Sequence, residues 1–247
     1  MCEMNLLITE NLSDAYHLKY IARTAEGELK KLGGDLALDK SSDRAYLSFG
    51  LPKISYPVFE AILKERIAEI ITVSYKYSFF KKYLRTGGIS DGEYEMLLAA
   101  LIAADLEEDK RYVKYKTVFD GQFSIDGFFN FRLGPLKDKW TEIVGYIPPF
   151  FSSQRLGEFI SFIVGEKSGR RATVVDGGVY DARHNRISLS SLLSPMDGGE
   201  VAREVLLSGF GEVELASPVS KTDERYLVRF YGDKIFFTKP VNPIKNR

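Results

Sequence analysis

Cysteine is nearly absent from this chain, occurring once in 247 residues, and histidine occurs twice. A single cysteine cannot build a disulfide framework. Two distant histidines and one thiol leave little material for a zinc site, which needs three or four ligands. Cys2 reads as a free thiol in a reducing compartment. Neither sign of charge is in excess, with Lys+Arg at 34 and Asp+Glu at 34. That balance excludes a strongly basic histone-like binder and an acidic solvating tail. Long apolar runs are also missing. Spanning a bilayer takes ~20 apolar residues, whereas the most apolar stretch, 96–106, already contains Asp105 and reads as a buried helix. The start, Met-Cys-Glu-Met-Asn-Leu-Leu-Ile, has no basic n-region and no long apolar core, so no signal peptide, no membrane insertion and a cytoplasmic location are expected.

What is present is the material of a folded protein. Hydrophobic residues make up 45% and aromatic residues 13%, which excludes a disordered chain. Residues 4–9 suit a short strand. Asn11 or Ser13 can cap the helix that follows, whose apolar positions are Leu12, Ala15, Leu18, Ala22, Ala25, Leu29 and Leu32. Gly33-Gly34 stops it. Residues 35–39 and 44–50 alternate like strands, giving an N-terminal β-α-β-β unit over 1–52. Ser55 and Pro57 open a helix that can run to Arg85. Ser90 and Glu93 have capping-box spacing ahead of Tyr94, Leu97, Leu98, Leu101 and Ile102. Residues 110–119 are charged and aromatic, without a clear period. Ser124 caps a further helix that Gly134-Pro135 breaks. A second piece reaches Tyr146, and Ser152 or Ser153 caps a helix to about Val164. The helical region is thus 53–166.

From 167 to 247 the pattern becomes a small α/β module. Strands are expected over 171–176, 179–181, 213–216 and 234–238, with helices over 199–210 and 223–231. The last two strands should be parallel neighbours, because the crossover between them has room for a helix. The class expected for the whole chain is α+β, with a partly parallel C-terminal sheet.

No residue stands out as catalytic, and no cofactor or metal ligand set is evident. Neither a P-loop nor a G-x-G-x-x-G turn is present. The connector Gly165-Glu166-Lys167-Ser168-Gly169-Arg170-Arg171 follows a helix and precedes a strand, the reverse of a P-loop, and reads as exposed and basic. His17 and His184 read as surface or turn histidines, and G-x-S-x-G is absent. The richest segment is 75–85, where four cations alternate with five aromatics. Two readings stay open there. In one, Phe79, Phe80 and Tyr83 pack inward while Lys81, Lys82 and Arg85 are solvated. In the other, Lys76, Lys81, Lys82, Tyr83 and Arg85 contact a nucleic acid or a partner. Positions 78, 81, 82 and 85 share one helical face and Lys76 lies off it. The acidic run of Asp105, Glu107, Glu108 and Asp109 can neutralise the patch.

The segment Phe123-Ser124-Ile125-Asp126-Gly127-Phe128-Phe129-Asn130-Phe131-Arg132-Leu133 resembles the YtxC-like family, sporulation proteins of endospore-forming bacteria. Its marks are a Ser-capped start and then Gly-Phe-x-x-Phe-Arg-Leu. Val179-Tyr180-Asp181 with Asn185-Arg186-Ile187 looks like the family's hairpin. Glu204-Val205-Leu206-Leu207-Ser208 before Val213-Glu214-Leu215 looks like its last helix-strand step. The likeness is best over roughly 120–240. It departs at Gly134-Pro135, where the family helix continues. It also departs at Ala216-Ser217-Pro218 and Lys239-Pro240, where a His and cysteines stand in the family. The resemblance therefore implies a link to sporulation, but no metal, redox role or catalytic residue. Within the motif, Phe128, Phe131, Arg132 and Leu133, continued by Leu136 and Trp140, form an apolar stripe for the core or a partner groove. Arg132 can stack on Phe128, and in such a stripe it needs a carboxylate or carbonyl partner.

The functional expectation is a non-catalytic cytosolic accessory or interaction protein, linked to sporulation by resemblance, with another protein as partner. Two alternatives remain. One is a nucleic-acid binder using 75–85, disfavoured by the balanced charge. The other is an enzyme with a small-molecule pocket at the C-terminal sheet. Elemental analysis of the purified protein is expected to find no stoichiometric transition metal; about one zinc or iron per chain would contradict this reading.

Overall fold

Leu6 and Ile8 lie two residues apart, so the strand Glu3–Asn11, β1, puts both on one face and into the core. The computed structural model describes residues 3–167 and 169–238, so Cys2, Ser168 and Lys239-Pro240 lie outside the described residues. After β1 come α1 (Tyr16–Lys31), β2 (Asp35–Lys40) and β3 (Arg44–Pro52). A long helix follows as α2 (Tyr56–Glu69), a π-helical segment (Ile70–Tyr75) and α3 (Lys76–Tyr83). Next are α4 (Asp91–Ala104), α5 (Leu106–Lys116), β4 (Gln122–Ser124), α6 (Ile125–Arg132), α7 (Gly134–Tyr146) and α8 (Ser153–Gly165). The remainder is β5 (Arg171–Val175), β6 (Gly178–Tyr180), β7 (Arg186–Ile187), α9 (Glu200–Leu207), β8 (Glu212–Leu215), α10 (Lys221–Tyr231) and β9 (Ile235–Phe237). The class is α+β. The chain forms two compact units, Met1–Tyr83 with Leu106–Tyr146, and Leu84–Asp105 with Ile147–Arg247. These units do not follow the 1–52, 53–166 and 167–247 segments, because the helical stretch is shared between them.

In the first unit the sheet order is β2-β3-β1-β4. β1 runs antiparallel to β3, with Leu6 opposite Phe49 and Ile8 opposite Leu47, and parallel to β4, with Ile8 beside Phe123. Helix α1 buries Leu18, Ile21, Ala25 and Leu29. Neither Asn11 nor Ser13 caps it. A 3-10 turn over Leu12–Asp14 moves the helix start to an Ala15 cap, and the Ser13 hydroxyl donates to Asp14. At the other end Gly33, at φ 76°, lets its own N–H reach Lys30 and that of Gly34 reach Leu29, the paired closure expected there. Pro57 sits in the first turn of α2. The helix ends at Tyr83 rather than Arg85, and no sequence signal marks its π-helical turn.

The 110–119 stretch is largely helix α5. Ser124 caps α6 by accepting the Gly127 N–H at 3.1 Å. Arg44 holds that helix start to the sheet with two bonds to Asp126, 2.8 and 2.9 Å. Gly134-Pro135 breaks the helix as expected: Leu133 turns fully into the core, and Pro135 lies in the first turn of α7, where its missing N–H costs nothing.

In the second unit the capping box forms, with Ser90 Oγ and the Glu93 carboxylate exchanging bonds with each other's N–H. Residues 96–103 of α4 are buried throughout. The sheet order is β7-β6-β5-β8-β9. β5 and β8 are parallel, and so are β8 and β9, with Val213 beside Ile235, joined through α10 as expected. Tyr226, Leu227, Phe230 and Tyr231 fill one buried face of α10, and Gly232 at φ 53° ends it. Helical spacing therefore prevails over the β-propensity of those residues. The basic connector spends Lys167 on the carbonyls of Ala103 and Ala104 at 2.7 and 2.8 Å, closing the α4 C-terminus.

Burial alone would raise the Glu93 carboxyl. Hydrogen bonds from Ser153, from Arg229 at 2.7 Å and from the Ser90 N–H at 3.1 Å outweigh that and bring it to about 2. Because the folded value lies below the ordinary 4.5, this contribution to stability is intact above pH 4.5 and is lost as pH falls toward about 2. Glu93→Gln is expected to flatten that acid limb, which denaturant titrations at several pH values would detect.

Candidate functional site

The family-like motif builds a surface groove in the first unit. Helix α6 supplies Phe128, Phe131 and Arg132, β4 supplies Phe123, and the end of α5 and the loop after it supply Lys116 and Val118; the cavity is about 790 Å³. Phe128 and Phe123 form its buried floor, ring centroids 5.1 Å apart. Phe131 stands at its mouth, 86% exposed. The expected apolar stripe is therefore only partly core. Phe128, Leu133, Leu136 and Trp140 are buried, while Phe131 and Arg132 face water. The physical reason is the break at Leu133, which turns that residue inward and leaves the two before it outside. Arg132, being exposed, needs none of the partner expected for it, and among the described residues it does not stack on Phe128.

The 75–85 segment is corrected more heavily. Lys76 is fully buried, with Nζ 2.7 Å from Asp109 Oδ2. The Trp140 Nε1–H donates to the same oxygen at 3.0 Å, and Lys139 reaches Oδ1 at 2.9 Å. Lys76 lies off the face of Lys81 and Lys82, and that other face is core. It is therefore unavailable to phosphate. Phe80 is buried, but Tyr83, expected inward, is half exposed. Lys81 bonds the Tyr77 hydroxyl at 2.9 Å, and Lys82 sits 4.9 Å from the Tyr83 ring centre. Arg85 belongs to the second unit and donates to the Leu84 carbonyl. What remains on the helix end is Lys81, Lys82 and Tyr83. The acidic run does neutralise part of the segment, through Asp109. Burial would raise that carboxyl, yet Lys76, Lys139 and Trp140 hold it below the usual range.

No protein-family model matches the chain, and neither a curated protein nor a solved structure matches it. Among the described residues no helix is long and apolar enough to cross a membrane. Groups of three or more His, Cys, Asp or Glu arranged for a metal are also absent among those residues.

His17 is buried rather than at the surface, 2% exposed. Its Nδ1 lies 3.0 Å from Glu10 Oε2, and its Nε2 lies 2.8 Å from Ser74 Oγ. The Tyr75 hydroxyl donates to Glu10 Oε2 at 2.9 Å, and the Asn11 N–H donates to Oε1. Tyr16 Oη lies 2.8 Å from Ser74 Oγ, and Tyr16 is 40% exposed. Glu10 comes from the end of β1, Tyr16 and His17 from the first turn of α1, and Ser74 and Tyr75 from the π-helical turn. Sequence reasoning missed this cluster. A signal for His17 existed: the buried stripe is Leu18, Ile21, Ala25 and Leu29, and residue 17 lies one turn before Ile21. Ser74 had none, because its register depends on the π turn. His184 does occupy an exposed turn, at φ 60°.

In the second unit a cavity of about 310 Å³ lies on α4, α8 and α10, at Glu93, Ser153, Arg225 and Arg229.

Breaking a buried ion pair from one side leaves a bare charge in the core. Asp109→Ala is expected to destabilise the first unit by about 3–5 kcal/mol, measured by chemical denaturation.

Proposed function

We propose that this chain is an accessory protein that acts by holding another protein, in the cytoplasm and in the setting of sporulation. The sporulation link rests on the YtxC-like resemblance of 123–133. The observation that carries the binding role is Phe131, 86% exposed at the mouth of an aromatic-floored groove. Phe131 shares that groove with exposed Val118, and contiguous apolar surface marks an interaction site, where aromatic anchors in pockets dominate the binding energy. Lys116 and Arg132 at the rim favour a partner segment with acidic residues beside its apolar ones.

The nucleic-acid reading loses one of its four cations, because Lys76 is committed to Asp109 inside the core.

A photo-reactive benzoylphenylalanine at position 131 is expected to cross-link one defined protein in sporulating cells, and the same group at exposed Lys31 is not. Phe131→Asp is expected to weaken that partner's binding by at least tenfold, with an unchanged melting temperature because the side chain is outside the core. Equal cross-linking from both positions would contradict the proposal.

A further inference from the structure

The buried cluster of Ser74, His17 and Glu10 has the order of a charge-oriented nucleophile. Glu10 accepts from two donors, the Asn11 N–H on one oxygen and the Tyr75 hydroxyl on the other, and this second oxygen also lies 3.0 Å from His17 Nδ1. This surrounding of donors keeps Glu10 an acceptor and assigns the His17 proton to Nδ1. The Nε2 lone pair then faces Ser74 Oγ at 2.8 Å, within reach of its proton. The rings of Tyr16 and Tyr75 flank the imidazole at 4.3 and 5.3 Å between centroids and fix its plane.

Two features distinguish this from ordinary core filling. Apolar side chains of the same size would fill the space with no polar groups to desolvate. The serine also sits in a π-helical turn, a distortion that concentrates at functional sites. Tyr16 is partly exposed and bonded to Ser74 Oγ at 2.8 Å, which links the buried serine to the surface. Rotation of that side chain would free Ser74 Oγ of this bond.

We propose that Ser74 is a nucleophile for small uncharged acyl esters, with His17 as base, Glu10 as positioning residue and Tyr16 as gate. This goes beyond the partner-holding role and does not depend on it. Ser74 Oγ forms a bond to the ester carbonyl carbon as its proton passes to His17 Nε2 and the carbonyl π pair moves onto oxygen. Collapse re-forms the carbonyl and breaks the bond to the leaving alkoxide or phenoxide, which takes the proton from His17. Water, deprotonated by His17, then attacks the acyl-serine, and Ser74 regains the proton. No oxidant or metal is needed. Aromatic flanks at the gate favour aryl or short acyl groups.

The probe is a fluorophosphonate, followed by intact mass and peptide mapping on the full chain. The expected result is one adduct per chain, on Ser74 and absent from Ser74→Ala. Tyr16→Ala, checked by circular dichroism for its fold, is expected to label about tenfold faster, since one hydrogen bond to the nucleophile is removed. Glu10→Gln presents an amide donor to Nδ1 and puts the imidazole in the wrong tautomer. Its labelling is expected to fall at least a hundredfold at pH 7. An adduct that persists in Ser74→Ala, or no Ser74 adduct in both the native and the Tyr16→Ala protein, overturns the proposal. A Glu10→Gln labelling rate equal to the native one overturns the relay.

Discussion

An ammonium group removed from water must meet a carboxylate, and in this chain that requirement fixes Lys76 against Asp109. The pair joins the long helix to α5, and Trp140 and Lys139 on α7 satisfy the remaining lone pairs of the acid. Three helices are thereby set in one register before any apolar contact is considered. The same long helix carries Glu69, which accepts from Tyr20 on α1 and from Arg66, and Glu65, which holds Lys110 and Lys114 on α5. The helix is bound to its neighbours by directional bonds at several levels, with Phe59, Leu63, Ile67 and Phe80 packed between them.

The π-helical turn is the point where this arrangement changes partners. Within three successive residues, Ser74 faces His17, Tyr75 faces Glu10, and Lys76 faces Asp109. On a uniform α-helix, neighbours one and two apart do not share a face. The wider turn lets Ser74 and Tyr75 reach one polar cluster while Lys76 reaches another. The groove at Phe131 depends on the same unit at one remove, since α6, which carries it, is held to the sheet by Arg44 and Asp126.

Much of the fold was legible because local signals agree with one another. Ser90 with Glu93, Ser124, Ser152, Gly33-Gly34 and Pro135 each act as spacing and capping chemistry predict. The parallel β8–β9 pair followed from the length of the crossover and the helical spacing of Tyr226, Leu227 and Phe230. The failures share a different cause. Lys76, His17 and Glu10 are polar residues paired across long stretches of sequence, and a polar residue in one sequence reads as exposed until its partner is known. Phe131 failed in the opposite sense, because an aromatic at a helix end reads as core until the direction of the break is known.

The interleaving of the two units has a consequence for synthesis on the ribosome. Helix α4, apolar over nearly its whole circumference, is translated between the two halves of the first unit, yet it packs against α8 and α9. At about 5–20 residues per second, the last of these emerges on the order of ten seconds after α4. During that interval the greasiest segment of the chain lacks its full native cover. The nascent protein must therefore hold α4 provisionally, against itself or a chaperone, until Leu207 has emerged.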